Sequence, residues 1–238
     1  MGSFKAQHTA TRAGAGLESF ARLAQSGEIV HHPFLWQQAL EGNVYMWGHG
    51  LEETAQDTPT AALDNQIIQA ALTAPLSGTI VVPLGVTFRM HGDGATGAPD
   101  LWLNYTQEDL SILNSGTDAS AGILNCLGGP NPKTAKASVQ TVTGSITNYT
   151  DAQNVLLTRR ANMLVDTILT EMAATDTSVE APGFGFLEGH YVPPVPIFLR
   201  GGASINFYSQ CGTTAATFTW VMHWVELDEG AYLAGHTV

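Results

Sequence analysis

Residues 216–227 constrain the fold of this chain more than any other stretch. Phe218, Trp220, Met222 and Trp224 fall on one face, and Thr219, Val221, His223 and Val225 on the other. A period of two sends successive side chains to opposite faces of a sheet. Three aromatic rings and a methionine on one face need a second layer to cover them. Each large apolar side chain removed from water contributes roughly 1.5–3 kcal/mol. The segment therefore predicts a long core strand in a sandwich of two sheets. The β-branched opposite face favours that reading over an exposed, sugar-stacking aromatic platform.

Most of the remaining chain also reads as strands. Candidates are 44–47, 65–72, 79–90, 101–106 and 138–149, with Gly144 as a bulge, then 197–200 and 203–210; 111–114 and 123–127 are weaker. Pro83-Leu84-Gly85 interrupts 79–90. Proline lacks the ladder donor, so the strand must bend or turn there. One segment breaks the pattern. Leu157, Ala161, Leu164, Val165, Ile168 and Met172 form one helical stripe, Asp151 suits an N-cap, and the spacing predicts a helix over 154–173. Many strands, frequent turn signals and one inserted helix point to an all-β, jelly-roll-like antiparallel β-sandwich. An echo between 80–88 and 197–205, each a short apolar strand, a glycine corner and a second strand, fits two Greek keys.

The chain divides into an N-terminal arm, 1–40, and a single sandwich domain, 41–238. Within the arm, Leu17, Phe20, Ala21, Leu23 and Ala24 recur at helical spacing before Gly27, which predicts a short amphipathic helix. Lys5, Arg12 and Arg22 against Glu18 give residues 1–27 a charge of 3 − 1 = +2. The whole chain carries −12, so the rest carries −14.

Charge excludes several classes of function. Only 13% of residues are charged, about half the usual ~25%. Nine Lys+Arg face 21 Asp+Glu, and lysine occurs only at Lys5, Lys133 and Lys136. Such a chain is poorly equipped to hold phosphates, so no direct nucleic-acid binding is expected. No apolar run approaches the ~20 residues of a membrane span, and the first residues lack the apolar stretch of a signal peptide. The surface must be largely Ser, Thr, Asn, Gln, Gly and Ala, which suits a protein covered by other subunits. Excess acid with scarce lysine leans towards a salt-rich habitat.

No catalytic, cofactor-binding or metal-ligating constellation stands out. There is no phosphate-cradling glycine motif, and Gly183-Phe184-Gly185-Phe186 opens no helical pattern. His31-His32 are adjacent and would face opposite ways on a strand. His49, His91, His190 and His223 lie near strand ends or faces, but Arg89 stands where a cupin-like site needs a second histidine beside His91. Structural roles are expected for them, with His223 hydrogen-bonded in or under a sheet. The acid pairs Glu52-Glu53, Glu108-Asp109 and Asp228-Glu229 read as solvated turns rather than glycosidase carboxylates. Cys126 and Cys211 read as two buried thiols, with a single bridge as the alternative. Asn104 and Asn148 open glycosylation sequons.

Residues 195–227, with PIFLRGG, ASINFYSQCG and ATFTWVMHWVEL, resemble the closing strands of viral jelly-roll capsid proteins. ALTAPLSGTIVVPLGVTFRM resembles an earlier strand pair of the same kind. Single-jelly-roll coat subunits of icosahedral double-stranded DNA viruses with an internal membrane fit best. The resemblance implies a non-enzymatic structural subunit of the virion, made in the host cytoplasm and requiring no cofactor. Its partners would be itself and other capsid subunits, with the inner membrane or minor virion proteins as further contacts of the arm. The alternatives are a virion or cell-surface attachment protein that binds carbohydrate and, further off, a cupin-like metalloenzyme.

Overall fold

The computed structural model describes residues 34–50, 56–57, 68–92, 100–107, 116–130, 132–142, 154–160, 188–210 and 217–230. In chain order the elements are α1 (Phe34–Leu40), β1 (Val44–His49), β2 (Gln56–Asp57), β3 (Ala70–Thr73), β4 (Thr79–Gly92), β5 (Asp100–Thr106) and β6 (Gly116–Asp118). After a short 3-10 turn come β7 (Leu124–Asn125), β8 (Ser138–Val142), β9 (Asn154–Arg160), β10 (Glu188–Tyr191), β11 (Ser204–Gln210) and β12 (Thr217–Asp228). They form two sheets. The first has the order β10-β4-β12-β1-β7, with β2 also paired to β12; the second runs β6-β8-β3-β11-β5-β9. Every strand pairing is antiparallel. The chain changes sheet repeatedly, as from β3 to β4 to β5 and from β10 to β11 to β12.

The expected core strand is central. β4 pairs with β12 from Thr217↔Gly92 to Asp228↔Thr79, and β1 flanks its other side from Val44↔Val225 to His49↔Trp220. Phe218, Trp220, Met222 and Trp224 are all buried between the sheets. Trp220 meets Phe207 of the opposite sheet edge-on, with ring centroids 5.4 Å apart. It also packs on Phe88 at 5.6 Å and Phe218 at 5.3 Å. Edge-to-face contacts of this kind suit the ring quadrupole. The burial excludes sugar stacking by these residues.

Past Trp224 both faces of β12 are covered. Val225 and Leu227 join Val44, Ile80 and Val82 in a second cluster on the outer face, against which Ala39, Leu84 and Cys126 pack. Cys126 is a free thiol whose pKa burial raises; Cys211 lies outside the described residues. On the inner face Glu226 is buried, and its carboxylate accepts hydrogen bonds from the backbone N–H of Lys136 (2.9 Å) and Ala137 (2.9 Å) and from Trp224 Nε1–H (3.2 Å). Lys136 and Ala137 lead into β8 of the second sheet. A buried carboxylate is tolerable only when so satisfied.

The structure corrects several expectations. Residues 154–160 are not the start of a helix: they form β9, paired with β5 from Leu101↔Arg160 to Thr106↔Asn154. A register shift at Leu103/Asn104 leaves Leu157 facing the core, where it packs on the main cluster. Asn-Val-Leu-Leu-Thr fits a strand as well as a helical turn, and the available edge of β5 decides the choice. Residues 161–173 lie outside the described residues, as do 17–24, 111–114, 143–149 and Asp151. The echo is one of composition. Residues 79–92 form one continuous strand with Gly85 inside it, whereas Gly201 and Gly202 make a true corner at φ 62° and 85°. Residues 197–200 pair only at Leu199, with Val81. The interruption at Pro83 is a bulge: His223 pairs with Gly85 and Trp224 with Pro83, so Leu84 has no partner.

Replacing Glu226 by Ala leaves two backbone N–H groups and an indole N–H buried without an acceptor. We expect Glu226→Ala to lower unfolding free energy by about 3 kcal/mol. Chemical denaturation measures this; a loss comparable to that of an exposed Glu41→Ala control would contradict the assignment.

Candidate functional site

A cavity of about 500 Å³ among the described residues lies on the outer face of the first sheet, under α1. Leu35, Trp36, Ala39 and Leu40 of α1 form one wall. Val44 of β1 and Leu84, Gly85, His190 and His223 of the sheet form the rest.

Local sequence explains each part. In α1, Leu35 and Ala39, and Trp36 and Leu40, stand four residues apart, so both pairs lie along one side of the helix. The helix ends in a Schellman turn: Gly42 N–H donates to Ala39 O (3.0 Å) and Asn43 N–H to Gln38 O (2.9 Å), with Gly42 at φ 71°. Gln38 is buried and accepts from Asn43 Nδ2 at 2.8 Å, which ties α1 to the start of β1. Leu84 reaches the cavity because it is the bulged residue of β4. Gly85 lies between the two histidines. A Cβ there would come within 3.3 Å of His190 Cε1 and 3.2 Å of Tyr191 O, so the absent side chain leaves room for the imidazole.

His190 Nδ1 lies 3.0 Å from Thr87 Oγ1. The pKa of His223 is lowered, first by burial and then by the neighbouring His190. His223 lies on β12, on the outer face at the cavity. With apolar walls and two imidazoles, the site suits apolar side chains and offers hydrogen bonds at one end. Among the described residues no group of three or more His, Cys, Asp or Glu is placed to hold a metal ion.

The other sequence candidates are dispersed. His49 ends β1 and stacks on Trp47 at 5.3 Å, away from the cavity lining. The side chain of His91 lies outside the described residues, as do His31, His32, Glu52, Glu53, Glu108 and Asp109. Glu229, just past the end of β12, accepts from Gly78 N–H at 2.8 Å and pairs with Arg200 at 3.8 Å, so it ties that strand end to the turn before β4. Asn104 is buried in the second sheet, where its amide is shielded from modification in the folded chain; Asn148 is outside the described residues. Sequence reasoning missed the apolar wall of α1, although the paired four-residue spacings in Phe34-Leu35-Trp36-Gln37-Gln38-Ala39-Leu40 were its signal.

His49 supplies a pH test. Burial pushes its pKa down to about 4, against about 6.5 for a free imidazole. Between those values the unfolded chain binds the extra proton, so stability is full above pH 6.5 and is lost as pH falls towards 4. We expect His49→Gln to remove up to about 3 kcal/mol of the acid-induced loss. Urea midpoints of both proteins at pH 7 and pH 4 measure it, and parallel losses would contradict it.

The chain matches no protein-family model, no curated protein and no solved structure with which it was compared.

Proposed function

We propose that the chain is a structural coat subunit of an icosahedral virion, a single jelly roll that acts by self-assembly. The observation that carries this reading is the distribution of exposed apolar side chains over separate elements. Phe34, Leu35, Trp36 and Leu40 are exposed on α1; Val155 and Leu156 on β9; Val192, Val195 and Phe198 between β10 and β11. Trp36 and Val195 are 67% and 69% exposed. A one-site enzyme or lectin concentrates apolar surface at its ligand, whereas a tile needs it wherever neighbours meet. The sheet-switching connectivity and the low surface charge support the same reading. The arm's residues 1–16, neutral-polar with two cations, would reach neighbouring subunits, minor virion proteins or the inner membrane.

One observation favours the second reading, a carbohydrate-binding attachment protein: Trp36 is an exposed indole beside a cavity, and such rings stack on sugars. Concentrated protein examined by light scattering and negative-stain imaging across ionic strengths separates the two. We expect closed or sheet-like assemblies that persist at high salt, since apolar contacts are not screened. Val195→Asp should abolish them without altering the circular dichroism. A chain that stays monomeric in every condition and binds a glycan array would overturn the coat reading in favour of the second.

A further inference from the structure

The cavity under α1 is open on one side, with Leu40 58% exposed at its rim beside Trp36. Nothing charged lies on α1, and its wall is Leu, Trp, Ala and Leu. Such a surface is covered by something apolar. We propose that its occupant is residues 17–24 of the same chain, lying against α1 with Leu17, Phe20, Ala21 and Ala24 turned into the cavity.

Three features argue for this occupant. The first is pattern. Leu17, Phe20, Ala21 and Ala24 stand at i, i+3, i+4 and i+7, one stripe of a helix, while Glu18 and Arg22 stand four apart on the opposite side, acid first, the favourable order. Eight helical residues span ~12 Å, close to the ~10 Å of the seven-residue α1. The second is the tether. Residues 25–33 separate this segment from Phe34, at the cavity wall. Nine residues reach at most ~30 Å, and antiparallel helices need only a short connection of about 2–5 residues. Tethering raises the effective concentration to the mM range, which favours the chain's own segment over a second copy. The third is charge. Glu18 and Arg22 cancel within residues 17–24, and no charged residue lies on α1, so the segment brings no net charge onto an apolar wall.

This goes beyond the coat reading and does not rest on it: with the α1 wall covered, the exposed apolar residues of β9 and of 192–198 and residues 1–16 remain for neighbours, and particle formation is a separate measurement. Trp36 supplies the probe, because Trp47, Trp102, Trp220 and Trp224 are all at most 4% exposed. In the full-length chain we expect acrylamide to quench little fluorescence, and Phe20→Asp to raise the quenching several-fold. Trp36→Phe should abolish that increase. As a second measurement in the otherwise native chain, benzoylphenylalanine at position 20 should form adducts on α1 or Leu84 that run as monomer on denaturing gels. Quenching unchanged by Phe20→Asp, adducts mapping elsewhere, or adducts running as dimers would each overturn the proposal.

Discussion

The edge-on contact of Trp220 with Phe207 is where the two sheets depend on each other. Trp220 sits on β12, the central strand of the first sheet, and Phe207 on β11, a central strand of the second. Phe88 and Phe218 close around the same indole. Three phenyl rings packed on one indole remove a large apolar area at one point, and the flanking strands are positioned by pairing with β12 and β11. β4 follows β12 over its whole length. Gly189, opposite Phe88 on β10, is required by this packing: a Cβ there would overlap the buried Phe88 ring. A residue on an outer strand is thus fixed by an aromatic ring of the adjacent strand, itself packed on Trp220.

The same strand also sets where the site can form. Up to Trp224, only the inner face of β12 is fully buried; beyond it, Val225 and Leu227 are buried on the outer face too. That outer cluster lies near α1 through Ala39, and the helix, held by Gln38 and its Schellman turn, overhangs the sheet. Where α1 ends its cover, His223 and the bulged Leu84 are left lining a cavity. The histidines face the outer side because alternation puts His223 opposite the Met222 and Trp224 face. Chemistry at the cavity is therefore a by-product of the parity that builds the core.

Legibility in the sequence follows from parity as well. β5 and β12 are read directly because Leu101, Leu103 and Tyr105, and Phe218, Trp220, Met222 and Trp224, sustain a period of two on a face buried against the other sheet, and β11 because Ile205 and Phe207 repeat it between glycines. β9 is misread because Val155, Leu156 and Leu157 are all apolar, so neither period is imposed locally. It lies beside β5 with Val155 and Leu156 exposed, and only tertiary pairing chooses strand. β2, β6 and β10 are too short to show any period. The site is invisible for a different reason. Its residues come from 35–44, 84–85, 190 and 223, and only the pairing of β10 and β12 to opposite sides of β4 brings the two histidines to one place.

Low charge governs what surfaces like these can do. Exposed apolar residues on α1 stand on a helix without charge, and those of 192–198 stand among prolines, so contacts through them depend weakly on ionic strength. The electrostatic part is different. A chain of −12 repels its own copies, and salt relieves that repulsion beyond a Debye length of about 3 Å at 1 M. Raising salt therefore removes the force that keeps copies apart while leaving the apolar attraction intact. An acidic, lysine-poor chain with several apolar patches is for this reason better suited to associate in concentrated salt than in dilute buffer. That direction is opposite to the behaviour of assemblies held by ion pairs, which screening loosens.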